Sequence, residues 1–274
     1  MATAPVARVR TVDWLDKMLN GGLPKGTWTV ITGGPGVGKS VLTILIAGGN
    51  LKTMPIIYVT TESSFRDVVR QAGLFGLDLG NAVSLHDILT GKANAGESNM
   101  IVIDLFSLYR QYRELIRGEG GRKPSRALSI EVLKSAVSRA LEELGLLEGN
   151  GRITGEVLLI VDSMTAFWAD KPALARALSY GLRQSLYGPN LTVIMTSQYA
   201  PTTAMSFGFG LEHVADGIIH MWMDDVEAVK EVRRWLIIKK MRLTNHYSKA
   251  VRFSITEKGI IPLEPSLGEV NQGP

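Results

Sequence analysis

Hydrophobic residues along this chain form two kinds of run, one continuous and one spaced at three and four residues. The continuous runs predict buried β-strands at Thr27–Thr32, Ile56–Thr61, Met100–Leu105, Val157–Asp162 and Leu191–Ser197. The spaced runs predict helices at Ser40–Ala47, Phe65–Leu74, Ile130–Leu147 and Pro172–Leu186, with Ser129 placed to cap the third. Strands that alternate with helices are typical of a mostly parallel, twisted sheet covered on both faces. We therefore predict an α/β fold.

The pattern changes towards the end of the chain. Short apolar runs there predict antiparallel strands appended to the parallel core, at Ile218–Met223, Arg234–Met241 and Val251–Ile255. Residues 266–274 are typical of a flexible tail. We expect a single domain over residues 1–265, followed by this tail.

The segment from Gly33 to Ser40 fits the phosphate-binding pattern GxxxxGK[ST] at every fixed position. A predicted strand enters it and a predicted helix leaves it, which argues against a chance glycine turn. Backbone N–H groups of such a loop face phosphate oxygens, Lys39 would reach the β- and γ-phosphates, and Ser40 would ligate Mg²⁺. We predict binding of a nucleoside triphosphate by Gly34, Pro35, Gly36, Val37, Gly38, Lys39, Ser40 and Val41.

Two acidic residues follow predicted strands and suit the same chemistry. Asp162 ends an apolar strand, the pattern known as Walker B, and would hold Mg²⁺ beside the phosphate loop. A strand-end aspartate is also common as an ordinary cap, so Asp162 alone is a weak signal. Glu62 follows Tyr58–Thr61 and is the candidate group that orients the attacking water. The alternative is that Glu62 caps the helix that begins near Phe65.

The amino-acid composition excludes several classes of protein and of binding site. The chain has 274 residues, of which 45% are hydrophobic, enough for a core. It has no cysteine, which excludes disulfides and cysteine-ligated zinc, and its apolar runs are strand-length. We expect a cytoplasmic protein with no membrane partner. The formal charge of +4 is unevenly distributed, because residues 107–127 carry six basic and two acidic side chains.

Several stretches together resemble the RecA/KaiC superfamily of ATPases. They are the phosphate loop, Val12–Gly26, Tyr58–Glu62, Val161–Ser163 and Lys240–Arg242 with Thr244–His246. Thr196–Ala200, Phe207–Ile219 and Lys171–Arg176 look most like the archaeal RadA paralogues of the RadC group. The resemblance implies a RecA-like core with ATP and Mg²⁺ as cofactors, a RadA-type recombinase or a second copy as partner, and a role in recombination and repair.

The resemblance also implies roles for single residues. Glu62 matches the water-activating glutamate, although Ser63 stands where KaiC-type sequences have a second glutamate, so slow hydrolysis is expected. Gln198 matches the residue that senses the γ-phosphate. The residues that match those reaching a neighbouring subunit's nucleotide are Lys240, Arg242, Thr244 and His246. An arginine supplied in this way would stabilise charge on the transferred phosphoryl group. The alternative is a solvated end of an edge strand.

Two segments are candidates for binding single-stranded DNA. The loop after Gln198 holds Tyr199, Phe207 and Phe209, which could stack on bases or pack in a core or subunit contact. The basic segment at residues 107–127 could follow a phosphate backbone through Arg110, Arg113 and Arg117, or form a solvated, partly helical arm.

Two classes of function remain at this point. The first is a DNA-binding accessory ATPase of recombination, which the aromatic loop and the basic segment favour. The second is a KaiC-like signalling or assembly ATPase that acts on proteins without DNA. A helicase or strand-exchange recombinase is less favoured, because the chain has no N-terminal DNA-binding domain and no Phe-x-x-Ala polymerisation motif.

Overall fold

A ten-stranded sheet organises the fold in the computed structural model, which describes residues 6–117, 128–168, 174–198, 210–224 and 230–263. The first two strands, β1 (Arg8–Val9) and β2 (Leu23–Pro24), form a separate antiparallel pair. The large sheet contains β3 (Trp28–Gly33), β4 (Ile56–Thr60), β5 (Val83–Ser84), β6 (Met100–Asp104), β7 (Val157–Asp162), β8 (Leu191–Ser197), β9 (Gly217–Met223), β10 (Arg234–Met241), β11 (Val251–Thr256) and β12 (Gly259–Pro262).

Eight α-helices accompany these strands in the described parts of the chain. They are α1 (Asp13–Met18), α2 (Lys39–Asn50), α3 (Phe65–Leu74), α4 (Leu85–Leu89), α5 (Leu105–Arg117), α6 (Ile130–Glu143), α7 (Ala175–Ser185) and α8 (Leu211–Val214). Short 3₁₀ turns lie at Ala95–Glu97 and Met164–Phe167. None of the helices described is long and apolar enough to cross a membrane.

The strand order is β12-β11-β10-β9-β3-β8-β7-β4-β6-β5. The seven strands from β9 to β5 are parallel, and β10, β11 and β12 continue the sheet as antiparallel neighbours of β9. Because parallel strands end at the same edge, the residues that follow β3, β4, β7 and β8 all meet there. The phosphate loop, Glu62, Asp162 and Gln198 lie at this edge, which we call the carboxyl edge.

Two hydrophobic layers cover the sheet, one on each face. The first packs residues of α1, α2 and α3 on inward side chains such as Ile31, Tyr58 and Leu236. The second packs α6, α7 and α8 on alternate residues of the same strands, such as Val30 and Val59. The central parallel strands β3, β4, β7 and β8 are mostly apolar because both of their faces are buried, which explains the continuous runs in the sequence.

The predicted α/β fold is confirmed, including antiparallel C-terminal strands at β10 and β11. The predicted antiparallel strand at Ile218–Met223 belongs instead to the parallel part of the sheet, because β9 pairs parallel with β3. The predicted helix at Ile130–Leu147 is too long, because α6 ends at Glu143. Gly145 has φ of 67°, and the N–H of Leu146 donates to the carbonyl of Leu141, as in a glycine C-cap. Similarly, β6 ends one residue early, since the Asp104 carboxylate accepts from the N–H of Ser107 and begins α5.

Candidate functional site

The phosphate loop lies between β3 and the C-terminal strands. A Cβ atom on Gly33 would stand 2.2 Å from the carbonyl oxygen of Met221 in β9. Gly38, the residue before α2, has φ of 109°, and a Cβ there would stand 2.8 Å from Ile255 in β11. Glycine is needed at Gly33 because a side chain would collide with the backbone of β9, and at Gly38 because its φ is one that residues with side chains rarely adopt. The appended strands thus form one wall of the loop.

Lys39 begins α2 and is buried, with 7% of its surface exposed. Its ammonium donates hydrogen bonds to the carbonyls of Gly33 at 3.0 Å and Gly34 at 2.7 Å. Burial lowers the pKa of Lys39 below its ordinary value, and the Asp162 and Glu62 carboxylates raise it in partial compensation. The loop therefore holds a desolvated positive charge that both carboxylates face.

Asp162 ends β7, and its two carboxylate oxygens are held by neighbouring strands. The hydroxyl of Thr196 in β8 donates to Oδ1 at 2.5 Å, and the hydroxyl of Tyr58 in β4 donates to Oδ2 at 3.2 Å. Neither donor was singled out from the sequence. Only the pairing of β4 and β8 on either side of β7 brings them to the aspartate.

Tyr58 links this aspartate to the helix after the phosphate loop. Its buried Oη lies 3.0 Å from Thr43 Oγ1 in α2, and Thr43 Oγ1 lies 2.9 Å from the carbonyl of Ser40. Burial raises the pKa of Tyr58, as does the Asp162 carboxylate beside it. Tyr58 therefore stays protonated, and its hydroxyl remains a donor to Asp162.

Glu62 follows β4 with an exposed side chain at the carboxyl edge. Its Oε1 accepts a hydrogen bond from the Ser163 hydroxyl at 2.8 Å and one from the amide of Gln198 at 3.4 Å. The structure therefore brings Glu62 and Gln198 into contact. Gln198 is fixed in turn by its backbone N–H, which donates to Thr165 Oγ1 at 2.9 Å.

The cap of α3 is Ser64, not Glu62. The Ser64 hydroxyl accepts from the N–H of Asp67, and the Asp67 carboxylate accepts from the N–H of Ser64, which is a capping box. Asp104 adds a further acceptor for the N–H of Phe65. The alternative role of Glu62 as a helix cap is therefore wrong, and its catalytic role stays a prediction.

One arginine at the phosphate loop was missed from the sequence. Arg234 begins β10, and its Nε donates to the carbonyl of Gly36 at 3.4 Å. Arg234 pairs with Met223, two residues beyond Met221, which pairs with Gly33. A register of this kind depends on tertiary pairing and has no local signal in the sequence.

The four basic and polar residues predicted to reach a neighbour's nucleotide lie away from the phosphate loop. Lys240 and Met241 pair with Ile218 and Gly217 at the start of β9, whereas Gly33 pairs with Met221. At about 3.3 Å per residue, Arg242 lies roughly 16 Å from Gly33 along the strand direction. Lys240, Arg242, Thr244 and His246 follow the sheet to its opposite edge, which we call the amino edge.

The contacts of these four residues are made within their own chain. Lys240 donates to the carbonyl of Ala215 at 2.6 Å, and Arg242 pairs with Asp216 at 3.2 Å. The Thr244 hydroxyl lies 3.2 Å from the carbonyl of Leu19, and His246 Nδ1 lies 3.3 Å from that of Tyr247. The structure does not bring them to the nucleotide site of their own chain.

The candidate DNA-binding residues fall mostly outside the described structure. Tyr199, Phe207 and Phe209 lie outside the described residues. Arg110 is exposed on α5, and residues 113 and 117 are on the same helix, three and seven residues further along. Residues 118–127 of the basic segment also lie outside the described part.

Comparison with known proteins gives a family. The sequence model of the KaiC ATPase family matches residues 10–266, nearly the whole chain. The chain belongs to the KaiC family of ATPases. The narrower resemblance to RadA paralogues gains no support from these matches and stays a prediction.

Relatives of this KaiC-family chain extend over almost its full length. A UPF0273 protein of Thermotoga maritima is 30% identical over 272 residues, covering 96% of this chain and 98% of the relative. A UPF0273 protein of Pyrococcus furiosus is 30% identical over 264 residues, covering 93% and 94%. The crystal structure of a KaiC-like protein from Pyrococcus horikoshii OT3 superposes with a TM-score of 0.67 at 23% identity, covering 95% and 100%. This last likeness supports the fold.

The oxygen donors at the carboxyl edge fit a magnesium ion. Ser40 offers a hydroxyl at the start of α2, and Asp162 offers a carboxylate whose direction is fixed by Thr196 and Tyr58. Within the described residues, no group of three or more His, Cys, Asp or Glu side chains could hold a metal by itself. A site with one or two protein oxygens suits Mg²⁺, which is usually shared with substrate phosphates.

We predict that Tyr58→Phe weakens Mg²⁺-dependent nucleotide binding. The variant keeps the ring and loses the hydroxyl that donates to Asp162, and loss of such a supporting contact typically costs about 10-fold or more in metal affinity. Titrating MgCl₂ against a fluorescent ATP analogue should give a Mg²⁺ midpoint raised by about 10-fold. Tyr180→Phe, on an exposed tyrosine of α7, is the control. An unchanged midpoint in Tyr58→Phe would contradict this role.

Proposed function

We propose that this chain hydrolyses ATP with Mg²⁺ at the carboxyl edge of its sheet. The observation that carries the proposal is the convergence of Lys39, Asp162 and Glu62. The phosphate loop follows β3, Glu62 follows β4 and Asp162 ends β7, and these parallel strands end at the same edge although they lie far apart in the sequence. A desolvated cation facing two carboxylates, beside a glycine loop at a helix N-terminus, suits a triphosphate with its metal ion.

Each residue of the site then has a role. Lys39 neutralises charge on the β- and γ-phosphates, and Ser40 and Asp162 would hold Mg²⁺, which when bound neutralises phosphate charge. Glu62 accepts a proton from the attacking water, as a carboxylate can when it lies within hydrogen-bond reach. Gln198 touches Glu62 and continues into the segment at residues 199–209, so it is suited to report the state of the γ-phosphate.

We further propose that a second copy or a RecA-family partner completes the site with Arg242 and Lys240, assisted by Thr244 and His246. Two observations support this. The four residues lie at the amino edge, out of reach of their own phosphate loop. The side chain of Arg242 is 61% exposed although it pairs with Asp216, so most of the side chain is open to solvent.

A mixing experiment tests the shared site. Lys39→Ala and Arg242→Ala should each be inactive, since the first has lost its phosphate loop and the second its donated arginine. Mixed in equal amounts, they should recover hydrolysis, because the intact loop of one meets the intact arginine of the other. Activity per subunit of the wild-type chain should also rise with protein concentration. No recovery in the mixture, at any concentration that supports wild-type activity, would rule out the shared site.

The finer proposal is that ATP binding is coupled to single-stranded DNA in recombination and repair. It is supported by the position of Gln198, which contacts Glu62 and directly precedes the segment that holds Tyr199, Phe207 and Phe209. The basic residues of α5 add a second candidate contact. The competing candidate, an ATPase that acts on protein partners, is favoured by the KaiC family match itself.

A DNA-binding titration distinguishes the recombination ATPase from the protein-directed ATPase. Labelled single-stranded DNA is titrated at two salt concentrations, with and without ATP and Mg²⁺. Replacing Arg110, Arg113 and Arg117 by alanine should weaken binding and flatten its salt dependence, because fewer counterions are released. Phe207→Ala and Phe209→Ala should each cost about 1–3 kcal/mol with an unchanged salt slope. If the protein binds no single-stranded DNA at low salt in any nucleotide state, the recombination role fails and the protein-directed ATPase is the better account.

A further inference from the structure

Asp216 is a buried carboxylate at the amino edge that sequence analysis did not single out. It has 7% of its surface exposed and stands just before β9. Its Oδ2 accepts from the backbone N–H of Trp28 at 3.0 Å and from Arg183 of α7 at 3.0 Å. Its Oδ1 accepts from Arg242 at 3.2 Å. One oxygen therefore ties the aspartate to the sheet and to α7, while the other is given to Arg242.

The backbone reinforces the same pairing. The N–H of Arg242 donates to the carbonyl of Asp216 at 3.0 Å, and the N–H of Asp216 donates to the carbonyl of Trp28 at 2.7 Å. Arg242 is thus fixed at both its main chain and its side chain to a residue that is itself anchored on the central strand β3. An exposed arginine held at two points has less conformational freedom to lose when it meets a phosphate.

The charges around Asp216 do not balance. Arg183, Lys240 and Arg242 surround this one carboxylate, and Lys240 donates to the neighbouring carbonyl of Ala215. Burial lowers the pKa of Lys240, and the nearby Arg242 and Arg183 charges lower it further, against the Asp216 carboxylate. The cluster carries excess positive charge, and so it is complementary to an anion brought from outside the chain.

We infer that Asp216 is a positioning residue, which holds Arg242 in the orientation that a second copy's nucleotide requires. The inference rests on the proposed function, because it assumes that Arg242 acts on a neighbouring subunit. The contacts of the Asp216 carboxylate are with Trp28, Arg183 and Arg242. Asp216 acts through the Arg242 guanidinium, whose orientation it fixes. It does more than connect β3 to α7, because its Oδ1 accepts from Arg242 while its Oδ2 makes the other two contacts.

Mixing variants tests whether Asp216→Asn impairs the arginine or the phosphate loop of the shared site. The variants are Asp216→Asn, Arg242→Ala and Lys39→Ala, and the control is Glu156→Gln. Glu156 pairs with Lys25 at the same edge of the sheet without touching Arg242. Thermal unfolding of each variant checks its fold, and ATP hydrolysis is measured for each alone and for each pair in equal amounts. Asp216→Ser serves if Asp216→Asn does not fold.

Asp216→Asn alone should lose about 10-fold to 100-fold in hydrolysis, in the range seen when a supporting contact of a site is removed. Mixed with Lys39→Ala it should recover, because its own phosphate loop is intact and its partner supplies a held arginine. Mixed with Arg242→Ala it should not recover, because neither subunit then presents a fixed arginine. Glu156→Gln should keep wild-type activity.

Other outcomes overturn the inference in distinguishable ways. Wild-type hydrolysis by Asp216→Asn would show that Arg242 needs no positioning. Recovery of Arg242→Ala with Lys39→Ala, but not of Asp216→Asn with Lys39→Ala, would leave the shared site standing and reject Asp216 as its positioning residue. If Arg242→Ala and Lys39→Ala do not complement each other, the shared site itself fails.

Discussion

Replacing Lys39 by alanine should abolish ATP hydrolysis and weaken ATP binding. The ammonium is desolvated, stands at the start of α2, and is the positive charge that Asp162 and Glu62 both face. A methyl group cannot neutralise charge that develops on the transferred phosphoryl. Loss of one such electrostatic group typically lowers kcat by about 100-fold to 1000-fold. Hydrolysis by the variant should fall at least that far.

Thermal unfolding checks that the variant is folded. Burial lowers the pKa of Lys39, so the folded state disfavours its charged form. Removing the ammonium relieves that desolvation, but it also removes the hydrogen bonds to the carbonyls of Gly33 and Gly34. Lys25→Ala, at the other edge of the sheet, is the matched control and should keep full activity. Unchanged hydrolysis in a folded Lys39→Ala protein would end the assignment of the phosphate loop.

The sequence was a good guide wherever a residue's role depends on its neighbours in the chain. The predicted strands at Val157–Asp162 and Leu191–Ser197 and the predicted helix at Phe65–Leu74 have the same bounds in the structure. Buried strands of a parallel sheet are apolar on both faces, and a glycine loop between strand and helix has a fixed spacing. Both patterns can be recognised within one continuous segment of the sequence.

Residues whose role depends on strand pairing were missed. Tyr58 looks like an ordinary strand residue, and only the neighbouring strand β7 shows that its hydroxyl serves Asp162. Arg234 and Asp216 are similar cases, since the register of β9 and β10 puts one at the phosphate loop and the other beside Arg242. Register is set by burial and pairing across the whole sheet, which a pattern within one segment does not contain.

The two edges of the sheet explain why the proposed shared site requires a second subunit. Lys39, Asp162 and Glu62 gather at the carboxyl edge, and Arg242 with its supporting aspartate lies at the amino edge. Antiparallel pairing of β10 with β9 forces this separation, because a strand that begins beside the phosphate loop must end away from it. Under this proposal, Arg242 would therefore reach a triphosphate only in another subunit.

Replacing Glu62 by glutamine should preserve ATP binding and slow hydrolysis. The amide oxygen of glutamine can still accept from Ser163 and Gln198, so the side chain should keep its place. An amide cannot take a proton from water, and loss of a general base typically costs about 100-fold to 10,000-fold in rate. We expect the dissociation constant of a fluorescent ATP analogue to stay within about threefold of the wild-type value, while kcat falls into that range.

Asp67→Asn provides the contrast, because Asp67 and Ser64 form the capping box of α3 only five residues further along the chain. That variant should lower the thermal unfolding temperature slightly and leave kcat unchanged. Comparing the two variants therefore distinguishes a loss of catalysis at Glu62 from a loss of helix capping at Asp67. If Glu62→Gln hydrolyses ATP at the wild-type rate, the water-activating group is not Glu62. If binding and hydrolysis fall together, Glu62 supports the nucleotide itself instead of the attacking water.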